Sequence, residues 1–505
     1  MTAPVVAQGP EFDLLIVGNG AAAVALLGAL DQQGRRSGAR LRIGLMGPAA
    51  ALGRGSCYHE DSAALLLNSP AADMSVRPGA PDDFVDWLHG AGLGAAGRFV
   101  PRYLFGRYVR ETAQALVAGS VHAITQVDDV ADGIARASGT APAGALFLVA
   151  GRNRTWRSRA VVLATGMAAP ADQYALAGRP GYFAAPFPAD AILRRVAPGG
   201  RVMILGSSLS AIDVAIVLAQ GGVGGPVTLV SRQARLPAIK CVKVKPALPH
   251  TSAQVAAWRA QGATPDGIGM RAVLRCTRRD LRAIGFDWRT LFAPAMATST
   301  DSMAAQIAAA AAPVDWLNQV NAMQSALDPV WARVREHERA RFIVRCMPDL
   351  LHKLAGIPAA NAQRVHQLMQ AGQLRNVAGV RSVRHDGAAF VATLADGATV
   401  TADYVVNATG PARRAEGALC QALLDGGLAR RHAAGGLDCI AQSGALVGGH
   451  GAVVPHLYAL GHLSCGVHPV INNMSAIVAK AGDLAPLLAP QERRRPARRG
   501  RPCRT

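Results

Sequence analysis

The chain has no closely spaced cysteines, few aromatics and a shortage of acids, and each lack removes a class of function. Its eight cysteines are scattered: Cys57, Cys241, Cys276, Cys346, Cys420, Cys439, Cys465 and Cys503. No two lie within four residues of each other, which excludes the usual spacing of zinc ligands. It also excludes the close dithiol that a flavin disulfide reductase uses to relay electrons. No disulfide framework is implied, so a reducing cytoplasm is the expected compartment. Aromatic residues make up 5% of the chain. No basic helix interleaved with aromatics and no nucleic-acid motif can be read, so no nucleic-acid partner is expected. The apolar stretch Leu14 to Leu30 is broken by Gly18-Asn19-Gly20 and preceded by Glu11 and Asp13. Neither a signal peptide nor a membrane span is expected there, and no other run reaches spanning length.

Acids number 33 against 53 Lys and Arg, a formal net charge of +20. Seven arginines crowd the last thirteen residues, with Pro496, Gly500 and Pro502 among them. Residues 491–505 are therefore expected to form a disordered basic tail. The remaining positive charge is spread along the chain and reads as a field that attracts anionic cofactors and substrates. At 505 residues, two or three packed domains are expected.

What is present is a strand, a tight glycine turn and a helix. The run Leu14-Leu15-Ile16-Val17 reads as a buried strand, and Ala25 to Leu30 as a helix. Between them, Gly18 lets the chain turn sharply. Gly20 offers no side chain to keep a pyrophosphate off the backbone. Ala23, in the third glycine's place, lets the helix lie close to the strand. The phosphates then meet the positive end of the helix. A second copy follows: the strand Val202 to Leu205, then Gly206, Ser208 and Ala211, all small, then a helix to Leu218. A third echo is the pair Ala164-Thr165-Gly166 and Ala408-Thr409-Gly410, each ending a stretch that reads strand, hairpin, strand. The reading is α/β, with two Rossmann-like dinucleotide-binding units of related plan.

Two departures from that fingerprint carry information. The second strand of the first unit ends Leu45-Met46-Gly47-Pro48, without the carboxylate that holds a ribose, so ribose contact must come from elsewhere. In the second unit the matching strand ends Val230-Ser231-Arg232. An acid there would repel a 2′-phosphate, whereas Ser231 and Arg232 can bind one, which favours NADPH over NADH. Arg232 as an ordinary surface arginine is the alternative. The expected domains are 10–195 for the first part of one unit, with 170–198 a Pro- and Gly-rich connection. Residues 196–400 would form the NAD(P)H unit with a helical insert at about 237–370, and 401–490 the return to the first unit.

The loop Gly53-Arg54-Gly55-Ser56-Cys57-Tyr58 is followed by Leu67-Asn68-Ser69-Pro70 and Phe99-Val100-Pro101-Arg102-Tyr103. Then come Ile204-Leu205-Gly206, Asn407-Ala408-Thr409-Gly410-Pro411 and Tyr458-Ala459-Leu460-Gly461. In this order the chain resembles the bacterial FAD/NAD(P)-binding proteins that include FAD-dependent urate hydroxylase and aspartate N-monooxygenase. The resemblance implies an FAD domain holding an inserted NADPH domain. It also implies a monooxygenase in which NADPH reduces FAD and a flavin C4a-peroxide hydroxylates a small polar nitrogen-containing substrate with O₂. Such chemistry is carried by the cofactor, in keeping with the lack of a visible Ser-His-Asp set or metal-ligand cluster. By the resemblance, Arg54, Asn68, Ser69, Gly410 and Gly461 stand near the FAD beside Gly18, Gly20 and Ala23. Gly206, Ser208, Ala211, Ser231 and Arg232 would hold NADPH. Catalytic candidates are His462 and His468, which could contact substrate, tune the flavin or serve as structural hydrogen bonders. Arg102, like Arg107, could hold an anionic group or pair with acids. Two other readings stay open: a flavin dehydrogenase or reductase without oxygen insertion, and a nucleotide-binding regulator without turnover.

Overall fold

The computed structural model of the chain describes residues 8–94, 99–137, 147–262, 266–292, 300–468, 470–471 and 473–489. The arginine tail lies outside the described residues. The first unit runs β1 (Gln8–Val17), α1 (Ala21–Ser37), β2 (Arg42–Met46), α2 (Asp83–Gly90), α3 (Arg102–Gly119), β3 (Ala123–Val127), β4 (Ala131–Arg136), β5 (Phe147–Gly151) and β6 (Thr155–Leu163). There follow β7 (Tyr182–Phe183), α4 (Ala189–Leu193), β8 (Val202–Leu205), α5 (Leu209–Gln220) and β9 (Val227–Val230). Seven helices come next: α6 (Pro249–Ala260), α7 (Met270–Ala283), α8 (Thr300–Ala310), α9 (Asp315–Trp331), α10 (Glu336–Arg345), α11 (Met347–Leu354) and α12 (Ala359–Gln370). The chain then forms β10 (Leu374–Val377), β11 (Val380–His385), β12 (Phe390–Leu394), β13 (Thr399–Ala402) and β14 (Tyr404–Asn407). It closes with α13 (Ala418–Asp425), β15 (Ala445–Val447), β16 (Val453–Ala459) and α14 (Met474–Leu488).

The strands form two main sheets and a small antiparallel one, β11-β12-β13. The first sheet has the order β15-β16-β6-β1-β2-β3, with β4 and β5 off its path; β16, β6, β1, β2 and β3 pair in parallel. β1 is central because it is apolar on both faces, as a doubly covered parallel strand must be. Leu14 and Ile16 pack with Val24, Leu27 and Leu30 of α1, while Leu15 and Val17 face Phe147, Val149 and Trp156. Each fully buried aliphatic side chain contributes about 1.5–3 kcal/mol. α1 ends at Gly38, in the left-handed conformation at φ +79°, whose N–H bonds the Gly34 carbonyl.

The second sheet, β10-β9-β8-β14-β7, is wholly parallel. It repeats the first strand for strand: β14-β8-β9-β10 matches β6-β1-β2-β3. The match extends to single atoms. Gly18 N–H donates to Met46 O at 2.8 Å and Gly206 N–H to Val230 O at 2.9 Å. Ala164 N–H donates to Val17 O at 2.8 Å and Ala408 N–H to Leu205 O at 3.0 Å. Each unit places its long excursion between its second and third strands.

The strand pairing corrects two expected boundaries. β14 lies in the second sheet, so the return to the first unit comes after Gly410, not at 401. The stretch expected as a connection, 170–198, contains β7, which pairs with β14, and α4, which packs on α5. Both belong to the second unit. One helix is strongly basic along one face. On α7, Arg271, Arg275, Arg278 and Arg282 recur at three- and four-residue spacing opposite buried Val273, Cys276 and Leu281. The Arg278 guanidinium stands 3.5 Å over the Trp288 ring.

Candidate functional site

The first glycine turn is built for close approach. Gly18 has φ +110°, and a Cβ there would fall on the Ala164 carbonyl. Gly20 is the N-cap of α1 and no side chain caps the helix, so its first N–H groups are available to an anion. Gly55 stands opposite: a Cβ on Gly20 would lie 3.2 Å from Gly55 Cα. The loop that carries Gly55 is pinned by Gly53 N–H donating to Asn19 O at 2.8 Å. Ala23 is fully buried against the sheet. Gly461 follows β16, and a Cβ there would meet Ala22 at 3.9 Å, so this strand end lies beside the start of α1.

The same loop holds unsatisfied polar atoms. Arg54 Nε and Asn68 Oδ1 are buried without a partner, although Arg54 Nη2 pairs with Glu60 at 2.7 Å. Buried polar atoms left unpaired cost about 1–3 kcal/mol each, and a bound polar ligand would satisfy them. Ser69, next in the chain, is half-buried. A glycine cradle at a free helix N-terminus, with the orphan Arg54 Nε next to Gly55 in the chain, fits a dinucleotide diphosphate.

The second turn is built the same way, with slightly more room. A Cβ on Gly206 would lie 2.6 Å from Ala408 O. Ser208 precedes α5 without capping it, and Ala211 is fully buried. Ser231 Oγ lies 3.1 Å from Ser207 Oγ and accepts the Ala234 N–H at 2.8 Å, fixing the end of β9 to the turn. Arg232 is exposed, and among the described residues no carboxylate pairs with it. Gly410, expected beside the flavin, follows β14 of the second sheet.

A cleft opens at the carboxyl ends of β6 and β14, where open α/β sheets bind ligands. Thr165, Gly166, Ala412, Glu416, Cys420 and His462 are among its lining. His462 Nε2 donates to Ala412 O at 3.3 Å, and burial lowers its pKa, so the imidazole is neutral. The other two catalytic candidates are occupied elsewhere. His468 is buried, its Nε2 donating to Ala441 O at 3.0 Å, away from that cleft's lining. Arg102 Nη2 is paired with Asp213 of α5 at 2.5 Å, and burial pushes the Asp213 carboxyl up while the guanidinium opposes it. Arg107 lies 5.8 Å from the Trp87 ring. Gly55 and Asp213 were not anticipated; the signal for Asp213 is one carboxylate inside the apolar run Ala211 to Leu218.

His468 also makes a testable contribution to stability. Burial, with Lys480 nearby, pushes its pKa down to about 3. The unfolded chain binds a proton near pH 6.5 that the native state refuses, so stability falls as pH drops through that window. Between pH 7 and pH 5 the loss is about 2 kcal/mol. Urea unfolding of His468→Gln should show a correspondingly flatter pH dependence; an unchanged slope would contradict this assignment.

Among the described residues one group of side chains has metal-ligand proximity: Glu336, His432 and Asp438, within 4.8 Å of one another. Asp438 is held by Arg430 at 2.6 Å and His432 Nδ1 accepts the Ala434 N–H, so both are already engaged.

Residues 15–168 match the model of an FAD-NAD(P)-binding family, and this segment is an FAD/NAD(P)-binding domain. No curated protein matches the sequence. The whole chain is similar in fold to several solved hydroxylases and monooxygenases. Reduced ornithine hydroxylase from Pseudomonas aeruginosa aligns over 95% of this chain and 99% of that one, with 16% identity and a TM-score of 0.59. The FAD-bound cadaverine monooxygenase from Erwinia amylovora aligns over 98% and 100%, with 12% identity and a TM-score of 0.60. L-lysine 6-monooxygenase from Pseudomonas syringae aligns over 94% and 99%, with 16% identity and a TM-score of 0.57. At these identities the likeness is one of fold.

Proposed function

We propose that the chain is an FAD- and NADPH-dependent monooxygenase that hydroxylates a small, polar, nitrogen-containing substrate. The observation that carries this reading is the duplicated turn: Gly18-Gly20 and Gly206-Ser208 sit at free helix N-termini in two sheets of one plan. Bound FAD supplies the redox chemistry, passing electrons from NADPH to O₂ for oxygen insertion. The protein binds, orients and excludes water. Gly18, Gly20 and Ala23 let the diphosphate of FAD reach the α1 N–H groups. Arg54, Asn68 and Ser69 supply polar atoms beside it, and Gly461 keeps the neighbouring strand end clear. Gly206, Ser208 and Ala211 do the same for NADPH, with Ser231 and Arg232 at its 2′-phosphate. Gly410 follows β14 of the second unit, two residues before Ala412 of the cleft's lining, and would turn the chain toward the flavin. Neutral His462, whose one N–H goes to Ala412 O, can accept a hydrogen bond there through Nδ1 without bringing a charge. Among the described residues no helix is long and apolar enough to cross a membrane, and we infer a cytoplasmic enzyme.

The fold neighbours act on ornithine, cadaverine and lysine by their names, which makes amines and amino acids the first substrates to try. The flavin-loaded protein should consume NADPH in air and release a hydroxylated product from one of a panel of small amines, amino acids and purines. NADPH consumption with hydrogen peroxide as the sole product across that panel would favour a reductase instead.

A further inference from the structure

Two side chains 111 residues apart join the nucleotide units. Arg102 opens α3 in the first unit. Asp213 stands in α5 of the second, one and a half turns beyond Ser208 at the second glycine turn. Their ion pair is 2.5 Å long, with the two side chains 13% and 3% exposed. The Arg102 guanidinium also lies 4.9 Å from the Phe187 ring, which comes from the second unit. A neighbouring tie runs the same way. Both oxygens of Asp61, in the loop after β2, accept the N–H groups of Ala189 and Asp190 at 2.7 and 2.8 Å, capping α4, which packs on α5. The three contacts surround a small hollow, with room for about one water molecule, lined by Ser56, Cys57, Asp61, Arg102 and Phe187. Ser56 and Cys57 directly follow Gly55, which faces Gly20 across the first turn.

Stability alone does not account for such a pair. Taking two charges out of water costs several kcal/mol each, and replacing a buried pair by apolar residues of similar size is often neutral or stabilising. What an ion pair adds is direction: its charge-assisted hydrogen bond is lost if the partners slide by more than about an ångström. This pair lies within two helical turns of one glycine turn and at the loop that faces the other. A shift at the seam would therefore move one dinucleotide against the other.

We propose that Arg102 and Asp213 are positioning residues that set the orientation of the second nucleotide unit against the first, so that nicotinamide and flavin meet in register. The inference rests on the reading that NADPH reduces a flavin in this chain. Hydride transfer is steep in distance and alignment, so a seam that wanders by an ångström should slow the step without loosening either cofactor.

Single substitutions would leave a buried unpaired charge and destabilise the fold, so the informative protein is the double variant Arg102→Met/Asp213→Leu, which removes both charges at once. It should fold, retain full FAD and bind NADPH with little change. Its limiting rate of anaerobic flavin reduction at saturating NADPH should fall about tenfold, a positioning effect of about 1.4 kcal/mol. Arg102→Lys, which keeps the charge, should retain most of the rate. A double variant that reduces its flavin at the wild-type rate overturns the proposal. Hydrogen exchange separates this from failure of the functional reading. Even in a wild-type protein that NADPH does not reduce, the Ala189 and Asp190 amides should exchange faster in the double variant. Unchanged exchange there would mean the pair sets no orientation.

Discussion

Gly20→Asp is expected to give a folded protein that no longer retains FAD. Gly20 occupies the N-cap of α1 with φ −83°, a conformation open to any residue. Aspartate is among the favoured N-caps, so the helix itself should gain rather than lose. The steric demand is modest, since the new Cβ would lie 3.2 Å from Gly55 Cα and the loop need yield only slightly. The electrostatic demand is not. The carboxylate would take the N–H groups meant for the diphosphate and would stand beside its negative charge. At about 4 Å and an effective dielectric near 20, that repulsion is about 4 kcal/mol, roughly a thousandfold in affinity. Flavin content per folded chain, read from the visible spectrum after purification, checks it. A folded variant carrying one FAD per chain would refute the placement of the diphosphate at this turn.

The second large effect concerns nicotinamide choice. Arg232→Ala is expected to raise the KM for NADPH about ten- to a hundredfold and to leave that for NADH nearly unchanged. Ser231 is fixed to the second turn through Ser207, so the exposed Arg232 next to it starts from the end of β9, where the adenosine ribose would lie. A 2′-phosphate there would accept charge-assisted hydrogen bonds from the exposed guanidinium, together contributing about 1.5–3 kcal/mol after solvent screening. Flavin reduction at saturating NADPH should be unaffected, because the adenosine end lies far from the nicotinamide. Steady-state kinetics with both nicotinamides are sufficient; equal effects on the two, or none on either, would show that Arg232 does not read the phosphate.

Both turns were legible in the sequence because each depends on local chemistry: an apolar strand, small residues at fixed offsets and an apolar helix. The echo of Ala164-Thr165-Gly166 in Ala408-Thr409-Gly410 was legible for the same reason, and the structure gives both segments the same backbone bonds. The echo puts β14 in the second unit, but a boundary drawn at 401 cuts it off from that sheet. The run Tyr404-Val405-Val406-Asn407 by itself reads as a buried strand in either unit, and its pairing with β8 decides. β7 has two residues and α4 five, too short for any periodicity, so Pro and Gly dominate the reading of 170–198. The fates of Arg102 and His468 were hidden because their partners, Asp213 and Ala441, are brought to them only by the fold. The stacking on the basic face of α7 was not legible because its aromatic partner, Trp288, lies beyond the helix itself.

The most direct test of the two-unit reading is anaerobic mixing of the purified protein with NADPH, followed through the visible flavin band. The expected result is a yellow protein with one FAD per chain whose band bleaches on mixing, faster with NADPH than with NADH. A protein that holds no FAD, or whose bound FAD neither nicotinamide reduces, would contradict it.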